Sequence, residues 1–126
     1  MPLADPFELP EWLAEAEVVW ESTDTVAAAS TVSGRLTDVA GRHPAVRLDL
    51  LAVDAAWPRP VAAEPDRCAA HQAWHYGEVA LLQVPGGVAL GVPGAAFSAD
   101  LVSEAVRRFA RAVGAKPQDY AVRLRL

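Results

Sequence analysis

Apolar and polar positions alternate in some stretches of this chain and recur at helical spacing in others. Val46-Arg47-Leu48-Asp49-Leu50-Leu51-Ala52-Val53 begins apolar, charged, apolar, charged, the period-two pattern of a strand with one covered face. Tyr120-Ala121-Val122-Arg123-Leu124-Arg125-Leu126 repeats it more cleanly. Glu78 to Val84 and Val88 to Val92 are apolar on both sides and joined by Pro85-Gly86-Gly87, which predicts a hairpin near the middle of a sheet. Glu17-Val18-Val19-Trp20-Glu21 reads as a short strand with Val18 and Trp20 on one side, in competition with a helix running on from Pro10.

Helical spacing marks three segments. Ser22-Thr23-Asp24 offers N-caps, and Ala29, Val32, Leu36 and Val39 then recur until Gly41 and Pro44, predicting a helix over 25–40. Pro65 suits a first helical position and Asp66 the positive end of the helix dipole, predicting a helix from Pro65 to His75. The strongest stripe is Val102, Ala105, Val106, Phe109 and Val113, capped by Ser98 or Asp100 and ended by Gly114 and Pro117. The resulting order is strand, helix, strand, a 24-residue excursion from Asp54 to Gly77, strand, short strand, helix, strand. It resembles the α+β, ferredoxin-like plan: a split βαβ pair, an antiparallel sheet with helices on one face, plus an extra hairpin strand and a helical excursion. Residues 1–126 read as a single domain with 1–10 as a poorly ordered lead.

Composition changes the picture in two ways. Ala and Val fill 42 of the 126 positions, while Ile and Asn are absent and one Lys (Lys116) stands against ten Arg. That is the bias of a GC-rich genome, so arginine preference is not itself a sign of phosphate recognition. An apolar fraction of 52% with a net charge of −5 excludes a disordered chain. The lone Cys68 precludes an intrachain disulfide and fits a reducing cytoplasm. The opening residues lack the basic and apolar regions of a signal peptide, and Pro85-Gly86-Gly87 and Pro93-Gly94 break the uncharged run Val79 to Ala99 too often for a membrane span. Charge is segregated: residues 1–25 hold seven acids and no base, whereas 101–126 hold six bases and two acids. The two regions can attract each other, within or between chains.

Candidate chemistry concentrates in the excursion. On its helix Cys68, His71 and His75 share one face, with Ala69, Ala70, Ala73 and Trp74 on the other. Thiolate and imidazole are ligands that zinc prefers, so a zinc site is the sharp reading. Positions seven apart are separated by about 10.5 Å along a helix, so a pair such as His71 with His75, completed by His43, Glu78 or a second subunit, suits one ion better than all three. The plain alternative is one buried small hydrophobe and two ordinary polar residues near a packing edge, and cysteine is often only that. A thiol enzyme using Cys68 with a histidine base lacks visible oxyanion donors and a cleft. Arg107, Arg108 and Arg111 on the last helix, followed by Lys116, Arg123 and Arg125, could bind anions or nucleic acid, although an amphipathic helix needs a solvated face in any case. A pI near 5.1 weighs against nucleic acid as the main partner. Trp57, Trp74 and Tyr76 are candidate pocket or interface aromatics.

These features predict a small cytoplasmic, non-catalytic binding domain without a cofactor or a membrane partner. It is expected to form a homodimer through strand edges or an uncovered sheet face. The competing readings are a metal- or thiol-dependent small enzyme at Cys68, His71 and His75, and an anion-binding module on the last helix.

Overall fold

The computed structural model describes residues 3–26, 29–54 and 59–125. Their strands are β1 (Leu3–Ala4), β2 (Val18–Thr25), β3 (Thr31–Val32), β4 (Gly34–Asp38), β5 (Val46–Ala52), β6 (Ala80–Val84), β7 (Gly87–Val92) and β8 (Tyr120–Arg125). The helices are α1 (Trp12–Glu15), α2 (Glu64–His75) and α3 (Ala99–Ala112). All eight strands form one sheet in the order β1-β6-β7-β5-β4-β2-β8, with β3 also paired to β5. None of the described helices is long and apolar enough to cross a membrane.

The chain is α+β, but it does not form the expected split βαβ pair. The helix expected over 25–40 is replaced by the end of β2 and by β3 and β4, with residues 27 and 28 outside the described set. Val32 and Leu36 are four apart, a spacing that fits both a helix turn and two strand repeats. Gly34 is a poor helix former and Thr31, Val32 and Thr37 are β-branched, and the observed alternation buries Val32, Gly34, Leu36 and Asp38. The sheet is mixed rather than antiparallel, because β5 runs parallel to β7 and β8 parallel to β2. The lead expected to be poorly ordered adds a short edge strand, with Leu3 opposite Leu82 and Ala4 opposite Leu81.

Helices cover both faces of the sheet rather than one. Alternation sends Leu48, Leu50, Val88 and Leu90 to one side, where they pack with Val102, Ala105, Val106 and Phe109 of α3. Ser98 caps that helix, its hydroxyl accepting from the Leu101 amide at 3.2 Å. Leu51, Ala89, Ala80 and Leu82 point to the other side and meet Ala70 of α2. A Cβ at Gly91 would lie 3.1 Å from Val53 Cγ1 and 3.2 Å from Ala70 Cβ, so the bare backbone there lets α2 approach closely.

The main core is tied by two polar contacts that reach across the chain. Tyr120 donates its buried hydroxyl to the Leu13 carbonyl at 2.6 Å, and burial pushes that phenol well above its ordinary pKa. Where β5 changes partner from β4 to β3, the fully buried Trp20 donates its indole N–H to the Leu48 carbonyl at 2.9 Å. At the same seam the Gly34 amide donates to Asp49 Oδ1 at 3.3 Å. A Cβ on Gly34 would lie 2.3 Å from Trp20 Cζ2, so the indole crosses β4 only because residue 34 has no side chain.

Candidate functional site

The outward face of α2 forms as its spacing predicts. Cys68, His71 and His75 are exposed, Ala70 is buried, and Ala69, Ala73 and Trp74 are half-buried. The exposed thiol corrects the alternative of a buried small hydrophobe. His71 Nε2 lies 3.4 Å from Asp54 Oδ1, while His75 packs edge-on against Tyr76 with ring centroids 5.2 Å apart. Among the described residues no group of three or more His, Cys, Asp or Glu side chains could hold a metal ion. The helix therefore displays the three candidate ligands without converging them on a point.

The arginines of α3 divide by role. Arg108 lies over the Trp74 ring, 3.7 Å from its centroid, and donates to the Trp74 carbonyl at 2.6 Å and to Glu104 at 3.1 Å. It joins α3 to the last turn of α2 through packing and hydrogen bonds together. Arg107 shares Glu104 at 3.8 Å. Arg111 makes no ion pair among the described residues and lines a hollow of about 420 Å³ with Phe7, Glu78, Val79 and Arg108. Residues singled out for different reasons, Trp74 and Arg108, thus meet where the last turn of α2 reaches α3, with Arg111 in the adjoining hollow. Trp57 lies outside the described residues.

This end also carries exposed apolar surface. Phe7 is 88% exposed and Tyr76, next to Gly77 of the hollow, is 76% exposed; Leu3 on edge strand β1 is 59% exposed. Val39 is the only other large hydrophobic exposed to this degree among the described residues.

A second site brings together residues from separate parts of the sequence. The buried Asp38 closes β4 and accepts from the Ala40 amide at 2.9 Å and the Arg42 amide at 3.1 Å, fixing the turn that follows. Its Oδ2 lies 2.8 Å from His43 Nδ1, and the His43 ring stacks on Trp12 with centroids 5.0 Å apart and planes 7° from parallel. The His43 hydrogen bond, helped by the two amides, holds the Asp38 carboxyl below the usual carboxylate range against the opposing effect of burial. These groups line a cleft of about 760 Å³, with Glu11, Glu15, Glu17 and Arg42 at its sides. In the sequence only the Asp38-to-His43 spacing around Gly41 hinted at such a turn, and nothing there joined it to Trp12.

The segregated charges meet within the chain. Glu21 on β2 pairs with Arg123 on β8 at 3.5 Å and with Arg35 on β4 at 3.3 Å, across directly opposed strand positions. Arg47 on β5 grips Asp49 Oδ2 through two nitrogens, at 3.0 and 2.7 Å. Arg123 is thereby engaged in a salt bridge on the sheet rather than adding an isolated cation to the α3 arginines. No family model matches the chain, and neither a curated protein nor a solved structure matches it.

Proposed function

We propose that this chain is a non-catalytic interaction domain of the cytoplasm that works as a homodimer, joined at the sheet edge bearing β1. The observation that carries the reading is the exposed Phe7 at the hollow lined by Glu78 and Arg111, with the exposed Tyr76 next in sequence to Gly77 of its lining. A two-fold contact requires one patch to complement itself. This patch has a projecting aromatic and a hollow, a carboxylate and a guanidinium, so Phe7 of each copy can enter the other's hollow while Glu78 faces the partner's Arg111. The contact would also cover β6 where two-residue β1 leaves it unpaired. A single exposed thiol suits the reducing compartment.

Sedimentation equilibrium tests the dimer. The chain is expected to sediment as a dimer at micromolar concentration and Phe7→Arg as a folded monomer, because a desolvated guanidinium in the hollow would face Arg108 and Arg111. A wild-type monomer refutes the reading, and a Phe7→Arg dimer moves the contact elsewhere.

A further inference from the structure

We propose that the cleft between α1 and the β4–β5 turn is a binding site for a small organic cation, an amine or a guanidine. The proposal is independent of self-association, since the cleft shares no lining residue with the hollow that holds Arg111, although Glu11 and Glu15 also border Phe7.

Three observations carry it. First, the wall is built from a fixed aromatic pair. Asp38 is buried, and its carboxylate holds His43 through Nδ1 while two backbone amides hold the carboxylate. Held that way, His43 lies parallel on the half-buried Trp12, so the wall does not have to be ordered when a ligand arrives. Second, the hydrogen-bonding character of the cleft is one-sided. The Asp38 carboxylate occupies His43 Nδ1, and the side chains of Glu11, Glu15 and Glu17 offer only acceptors when ionised. Donors from a ligand are what such a lining can satisfy. Third, the charge is unbalanced: among the described residues none of the three glutamates forms an ion pair, and Arg42 is the only permanent cation at the cleft.

Cation, donor-rich head and aromatic contact together describe an alkylammonium or guanidinium group. The alkyl or planar part of such a group can lie against the Trp12–His43 pair while its N–H groups reach the carboxylates. An anion would meet carboxylates on several sides, and an uncharged apolar ligand would leave them desolvated and unpaired. The cleft volume of about 760 Å³ falls within the roughly 300–1,000 Å³ typical of small-molecule sites.

The test is isothermal titration calorimetry of the full chain at low ionic strength, with L-argininamide and putrescine as probes and succinate as the anionic control. At least one cation is expected to bind with a dissociation constant at or below about 1 mM, and succinate not at all. Glu11→Gln combined with Glu15→Gln alters exposed positions only, so the fold should persist, and is expected to weaken the cation about tenfold or more. Trp12→Leu should weaken it too, with circular dichroism reporting whether the fold is kept. Arg111→Glu, at a residue that lines the dimer hollow and not the cleft, should bind as the wild type does, which separates this site from the dimer contact. Absence of cation binding up to about 10 mM, equal binding of succinate, or undiminished binding by the double glutamine variant would each overturn the proposal.

Discussion

Replacing Gly34 by Ala should destabilise the protein far more than a surface methyl group would. The new Cβ would stand 2.3, 2.5 and 2.8 Å from Cζ2, Cε2 and Nε1 of Trp20, inside any permissible contact. The backbone of Gly34 is ordinary extended strand, so space alone requires glycine. Trp20 is fully buried and anchored through Nε1 to the Leu48 carbonyl, so it cannot swing aside without losing packing and that hydrogen bond. Overpacking a core costs about 1–3 kcal/mol, and stranding a buried donor or acceptor about 1–3 kcal/mol more. The expected loss is therefore about 2–6 kcal/mol, against a total of about 5–15 kcal/mol for a domain of ordinary stability. Urea unfolding followed by far-ultraviolet circular dichroism measures it, as a lower midpoint at unchanged slope. Trp20→Leu supplies the decisive control. With the indole gone, the same Gly34→Ala change should cost less than about 1 kcal/mol, giving a large coupling in the double-mutant cycle. A Gly34→Ala protein within about 0.5 kcal/mol of wild type, or strict additivity with Trp20→Leu, would refute the reasoning.

Further expectations concern the two polar anchors. Because Asp38 has its pKa lowered in the folded protein, its ionisation stabilises the fold above the ordinary carboxylate value of about 3.9, and that contribution is lost as pH falls through the folded value. Asp38→Asn should be less stable than wild type at pH 7, with the gap closing below about pH 4; a gap independent of pH in urea titrations would count against it. Tyr120→Phe leaves the Leu13 carbonyl without its 2.6 Å donor and should cost about 1–3 kcal/mol in the same assay, an expectation that an unchanged midpoint would dismiss.

Several elements were legible from residue spacing because local pattern and tertiary role agree. In α3 the stripe from Val102 to Phe109 is the buried stripe, and in β8 alternation follows the covered face, whereas β5 forms where the pattern places it but is buried on both faces from Leu48 to Ala52. The displayed face of α2 was legible for the same reason. Residues 25–40 were not, since Val32 and Leu36 satisfy two periods at once and the choice is made by pairing with β5 and β2, partners that lie outside the window in which the period is read. The cleft was invisible for a related reason: Trp12, Asp38 and His43 meet only when β2 and β4 pair and bring α1 beside the β4–β5 turn. The acidic opening segment was read as net charge, although its meaning lies in which carboxylates remain without a cation after Glu21 has taken two arginines.

The layer beneath α2 gives the domain unequal halves. Four of the seven buried residues in its described cluster are alanines, each of which removes little more than one methyl group from water, whereas the α3 layer is closed by leucines, valines, Phe109 and Trp20. Close approach at Gly91 improves the fit but cannot enlarge the area. Opening α2 should therefore require less free energy than global unfolding, so its amides should exchange with solvent through a partial opening that leaves the larger core intact. The Arg108 contact with Trp74 then acts as a latch between a soft layer and a hard one, holding the displayed thiol and imidazoles of α2 to a body that stays folded when they move.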